Sequence, residues 1–121
     1  MQEFKFDYDK ENDDLFLYNP KSKSRASIEM GDIILDFDKN KTLSAIEIMN
    51  ATKFIKSFLI DDKITIDKEA LANLTTCRVD TKVQDNLLLV KIVLLMKFNK
   101  QIPLVLSIPR ITRSSPALSA A

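Results

Sequence analysis

An α+β domain built mostly on antiparallel β-sheet is what this sequence predicts, on three observations. Short runs along most of the chain alternate apolar and polar residues, the period of a strand with one buried face. The breaks between these runs are polar and turn-prone, as in hairpins. Only in the middle of the chain does the apolar spacing change to three and four, the period of a helix. The resulting order is five strands, two short helices and three strands, packed as one domain over residues 1–111, with a tail at 112–121. A chain of 121 residues suits a single core.

The first strand is read from Phe4, Phe6 and Tyr8, which alternate with Glu3, Lys5 and Asp7. Asp9 to Asp13 is a polar turn, and Leu15 to Tyr18 returns as the second strand of a hairpin, ended by Asn19 and Pro20. Lys21, Lys23 and Arg25 then form a solvated basic loop. Ala26 to Met30 and Ile33 to Phe37 are the third and fourth strands, joined through Gly31 and Asp32. Asp38 to Lys41 turns the chain into the fifth strand, Leu43 to Ile48, and Asn40 is the residue expected in the left-handed backbone region.

Asn50 is expected to cap a helix whose apolar stripe is Ala51, Phe54, Ile55, Phe58 and Leu59, with Lys53 and Lys56 facing outward. A second helix over Lys68 to Leu74 has Asp67 as its cap, and Ile66 and Leu71 as the apolar pair that fixes chain entry. Cys77 to Gln84 alternates as a strand with one wet face. Leu87 to Phe98 is long and apolar, and a turn at Asn99 to Gln101 leads to the last strand, Ile102 to Ile108. Pro103 and Pro109 cannot donate ladder hydrogen bonds, which places that strand at a sheet edge. The tail at 112–121 has little to bury and is expected to be mobile.

Composition narrows the chemistry. With no histidine, the chain has no imidazole base and no His-ligated metal site. Its one glycine, Gly31, excludes the glycine-rich phosphate loops, which bring several main-chain amides close to a ligand. Cys77, the one cysteine, reads as a buried apolar residue and excludes an internal disulfide. A net charge of +1 gives no global attraction to nucleic acid or anionic lipid. The amino terminus lacks the basic-then-apolar pattern of a signal peptide. The longest apolar run is well below the about 20 residues of a membrane helix and contains Lys91 and Lys97. A cytoplasmic, non-catalytic protein with no cofactor is the expectation.

Two constellations carry functional expectations. Asp36, Asp38 and Asn40, with Glu47 eleven positions after Asp36, have the spacing of calcium-loop ligands. Lys41 stands where such a loop needs glycine, and both flanks read as strands, so a turn held by local Asp and Asn hydrogen bonds is the simpler reading. Asp7, Asp9, Glu11, Asp13 and Asp14 could join Asp36 and Asp38 in a cation or paired-carboxylate site, but acids at hairpin ends are usually solvated. The other constellation is the run from Leu87 to Phe98, whose even positions are all apolar and whose odd positions add Leu87, Leu89, Val93 and Leu95. Both faces of that strand need cover, and the odd face is the candidate interface of a homo-oligomer.

The first half carries a resemblance. The segment Phe4-Lys5-Phe6-Asp7-Tyr8-Asp9, with Asp13-Asp14-Leu15-Phe16-Leu17, Gly31-Asp32-Ile33-Ile34-Leu35-Asp36-Phe37-Asp38 and Leu43-Ser44-Ala45-Ile46-Glu47-Ile48, resembles the domain-of-unknown-function family 2283 over about residues 1–56. The family pattern has glycine in the turn where this chain has Asn40-Lys41, and before Ile-Glu-Ile where it has Ala45. The resemblance implies the strand order but no activity; small members sometimes look like partners of toxin-like proteins. A self-associating protein-interaction or scaffold module is the favoured function. The alternatives are a small-ligand or divalent-cation binder using the hairpin carboxylates, and a partner or neutraliser of a toxin-like protein.

Overall fold

The fold is described from a computed structural model over residues 1–60 and 65–109. Its strands are β1 (Gln2–Asp9), β2 (Asp14–Tyr18), β3 (Ala26–Met30), β4 (Ile33–Phe37), β5 (Leu43–Ile48), β6 (Leu74–Gln84), β7 (Leu87–Met96) and β8 (Lys100–Pro109). Two helices, α1 (Ala51–Lys56) and α2 (Lys68–Ala72), lie between β5 and β6. The strands form one sheet in the order β3-β4-β5-β2-β1-β6-β7-β8, every pair antiparallel. The predicted order of five strands, two helices and three strands is the observed one. The expected mobile tail at 112–121 lies outside the described residues.

The midpoint of the sheet is β1, which divides its pairing. Residues Gln2 to Phe4 pair with β6, whereas Lys5 to Asp9 pair with β2, so one strand joins an amino-terminal half-sheet to a carboxyl-terminal one. Both half-sheets turn their apolar faces into one core. Phe4, Leu15, Leu17, Leu35 and Ile46 contribute to it from the first half, and Cys77, Ile92, Leu94 and Leu104 from the second. The helices fill the space between, through Ala51, Ile55 and Leu71. A bulge at Asp36 and Phe37 shifts the register of β4 on β5 and aligns Leu43 with Phe37, so both are buried.

Several local readings are corrected. The left-handed residue after β4 is Lys41, at φ 62°, and not Asn40. Asp38 decides this, because its Oδ1 accepts from the amides of Asn40 (2.8 Å) and Thr42 (3.0 Å), winding the turn so that the residue between them takes the positive φ. Asn50 stands at the N-cap of α1, but its side chain makes no cap hydrogen bond and reaches Asp32 instead. Asp67 does cap α2, accepting from the Ala70 amide at 2.8 Å, while Ile66 and Leu71 are both buried. That helix ends at Ala72, because Leu74 already pairs with Met96 in the ladder of β6 and β7. The long apolar strand stops at Met96. Phe98 has φ 64° at the tip of the turn Lys97–Asn99 and is 99% exposed, so it belongs to neither face.

Candidate functional site

The outer face of the carboxyl-terminal half-sheet is built by the pleat of three long strands. In β7 the even residues Val90, Ile92, Leu94 and Met96 are buried in the core, which sends the odd residues to the opposite surface. There Leu87 is exposed, Leu89, Val93 and Leu95 are half-buried, and Lys91 sits exposed at the centre of the column. The sequence placed Leu87, Leu89, Val93 and Leu95 on one face, and the structure brings them together. What it adds are the neighbours. Register sets Lys82 beside Leu89, Asp80 beside Lys91 and Arg78 beside Val93 on the β6 side. On the β8 side it sets Val105, 51% exposed, beside Lys91, and Pro103 beside Val93. The surface is an apolar column walled on one side by long charged chains whose hydrocarbon stems flank it.

Carboxylates gather elsewhere, on the outer face of the amino-terminal half-sheet. Glu47 of β5 is raised above the usual glutamate range, first by the hydrogen bond that its protonated form can make to Asp14 of β2, then by burial and the charges of Asp14 and Asp36. Asp14 Oδ1 is buried and has no donor among the described residues, a need that a proton on Glu47 can meet. Asp36 accepts from the hydroxyls of Ser24 (3.1 Å) and Ser27 (2.6 Å), and Asp38 is occupied by its own turn. Of the four residues with calcium-loop spacing, Asp36 and Asp38 are therefore held by different partners. Among the described residues, no group of three or more Cys, Asp or Glu side chains is placed to hold a metal ion.

The remaining hairpin acids also have structural partners. Asp13, itself at φ 54° and buried, receives the Tyr8 hydroxyl (2.6 Å), the Thr52 hydroxyl (2.6 Å) and the Thr52 amide (3.1 Å). Its backbone oxygen accepts from the Ala51 amide at 2.9 Å. Burial pushes this carboxyl up, but the hydrogen bonds from Thr52 and Tyr8 outweigh it and hold Asp13 below the ordinary aspartate range. Tyr8, half-buried and facing that carboxylate, is pushed well above the usual tyrosine range by desolvation and then by Asp13. This cluster caps α1 from the β1–β2 turn, a role invisible to sequence reasoning because Asp13 and Thr52 are 39 residues apart. Cys77 is buried, and burial, with a smaller effect of the Glu3 charge, pushes its thiol up to about 12. Such a thiol is a core residue rather than a nucleophile at neutral pH.

Known proteins add similarity over part of the chain. An uncharacterised protein of Methanocaldococcus jannaschii is 47% identical over 49 residues, which are 40% of this chain and 42% of that one. A protein of Methanosarcina mazei, provisionally named hypoxanthine phosphoribosyltransferase, is 37% identical over 70 residues, 58% of this chain and 50% of that one. The chain thus spans half or less of the length of each of these relatives. No solved structure matches. Among the described residues no helix is long and apolar enough to cross a membrane. Residues 5–51, which run from Lys5 within β1 through β5 to the first residue of α1, match the family described as protein of unknown function (DUF2283).

Proposed function

We propose that this protein is a non-catalytic, self-associating interaction module of the cytoplasm, and that its working surface is the outer face of β7 with its flanking strands. One observation carries the reading. A ten-residue strand buries one face in the core and carries Leu87, exposed, and Leu89, Val93 and Leu95, half-buried, on the other, with the exposed Val105 alongside. Leaving such a column in water forgoes about 25 cal/mol for each Å² of apolar surface that association would cover. This surface lies in β6 to β8, beyond the segment matched by the family, so it is a feature of this chain's own second half.

The name of the Methanosarcina relative suggests nucleotide chemistry for that protein. Carrying it here would require main-chain amides cradling phosphates, and this sequence has a single glycine, in the β3–β4 turn at φ 58°. The interaction reading asks nothing of that kind. It is tested by light scattering at micromolar concentration. The wild-type protein is expected at twice its chain mass or more, and Val93→Lys, which sets a charge into the apolar column, at the monomer mass. A monomeric wild type overturns the reading.

A further inference from the structure

The free edge of the sheet and its outer face are two different ways for copies of this chain to meet, and the positions of two prolines separate them. In an antiparallel strand, residues of one parity direct both main-chain groups to one neighbour and residues of the other parity to the opposite side. The ladder of β8 on β7 runs without a shift from Lys100 to Pro109. Pro103 and Pro109 share a parity, and a proline facing β7 would break that ladder. The odd residues of β8 therefore face the free edge. Of Gln101, Pro103, Val105, Ser107 and Pro109, two have no N–H to offer. An edge missing donors at both 103 and 109 resists strand addition, as natural edges do when blunted by proline.

The outer face, in contrast, carries one pair of opposite charges that a twofold axis can exchange between copies. Asp80 of β6 and Lys91 of β7 are paired in register on this face and exposed, yet among the described residues they form no ion pair. A twofold axis along the strands, between β6 and β7, exchanges the two columns between copies. Each Lys91 then lies over the Asp80 of the second copy, the stem of Arg78 over its Val93, and the stem of Lys82 over its Leu89.

Resting on the self-association proposed above, we infer that a second copy of this chain docks face to face on β6 and β7, with reciprocal Lys91 and Asp80 pairs across the twofold, and that the β8 edge stays unpaired. The face packs at the ~10 Å spacing of stacked sheets. Light scattering on the full chain separates the cases, with circular dichroism confirming folding of each variant. Asp80→Lys brings like charges together across the interface and is expected to weaken dimerisation at least tenfold. Adding Lys91→Asp to it restores opposite charges and is expected to recover the dimer. Ser107→Pro removes a third outward donor from β8 and is expected to leave the mass unchanged. A folded Asp80→Lys protein that dimerises like wild type, a double variant that does not recover, or a Ser107→Pro monomer overturns the face-to-face arrangement while the wild-type dimer stands. A wild-type monomer instead overturns the self-association reading itself.

Discussion

Lys41 occupies a left-handed backbone position that costs an ordinary residue about 1 kcal/mol, since its Cβ crowds the neighbouring carbonyl. The Asp38 carboxylate enforces that conformation through the Asn40 and Thr42 amides, so the strain is held by a side chain rather than relieved by glycine. Lys41→Gly removes the crowding but gives the unfolded chain more freedom, and a net gain of about 0.5 kcal/mol is expected in denaturant titration. Glu47 is strained by charge. Its folded-state carboxyl holds a proton more tightly than the unfolded one, so ionisation at neutral pH costs stability, and the cost is recovered as pH falls through the raised value toward the ordinary one. Glu47→Gln keeps a donor for Asp14 and removes the charge. It is expected to stabilise the protein by about 0.5–1 kcal/mol at pH 7, with the difference from wild type vanishing near pH 4, as measured by thermal melts at both pH values.

At the scale of elements, the junction that fixes α1 is a turn belonging to other elements. A helix of six residues is too short to persist alone, and its own Asn50 supplies no side-chain cap. The β1–β2 turn replaces it: Asp13 receives the Thr52 amide and hydroxyl, and its backbone oxygen receives the Ala51 amide. Asp13→Ala is expected to cost about 2 kcal/mol, the loss of a cap plus a partner for the part-buried Tyr8 hydroxyl. Because the folded Asp13 carboxyl lies below its ordinary value, the wild-type contribution is complete above about pH 4 and fades as pH falls through the lowered value. Urea titrations at pH 7 and pH 3 are expected to show the variant closing on wild type at the lower pH. The two-residue turn joining β6 to β7 and the prolines of β8 act at this scale too, the former setting a ten-pair register and the latter fixing which parity faces the edge.

For the molecule as a whole, the two ends of the strand order approach one another. Met30 and Ile33 of β3 and β4, Phe54 of α1 with Phe58 just beyond it, and Leu106 and Ile108 of β8 line one shared groove of about 240 Å³. The sheet therefore curls around its core, and the helices plug the interior instead of covering an outer layer. That geometry decides which face of β7 is left over. The core takes one face of the strand from Val90 to Met96, and on the other Leu89, Val93 and Leu95 are half-buried, the face that Val93→Lys tests.

Alternation and apolar runs by themselves determined the eight strands and their order along the chain, because a pleat with one buried face writes a period of two into the sequence, and the prolines of the last strand marked an edge before any pairing was known. Tertiary structure alone decided the division of β1 between two half-sheets, the capping of α1 by Asp13, the raised carboxyl of Glu47, and the meeting of Asp80 with Lys91 on one surface. The physical reason is range. Periodicity is a local imprint of burial, whereas each of these features joins residues distant along the chain, and one sequence read residue by residue holds no record of which distant groups the closed core will set side by side.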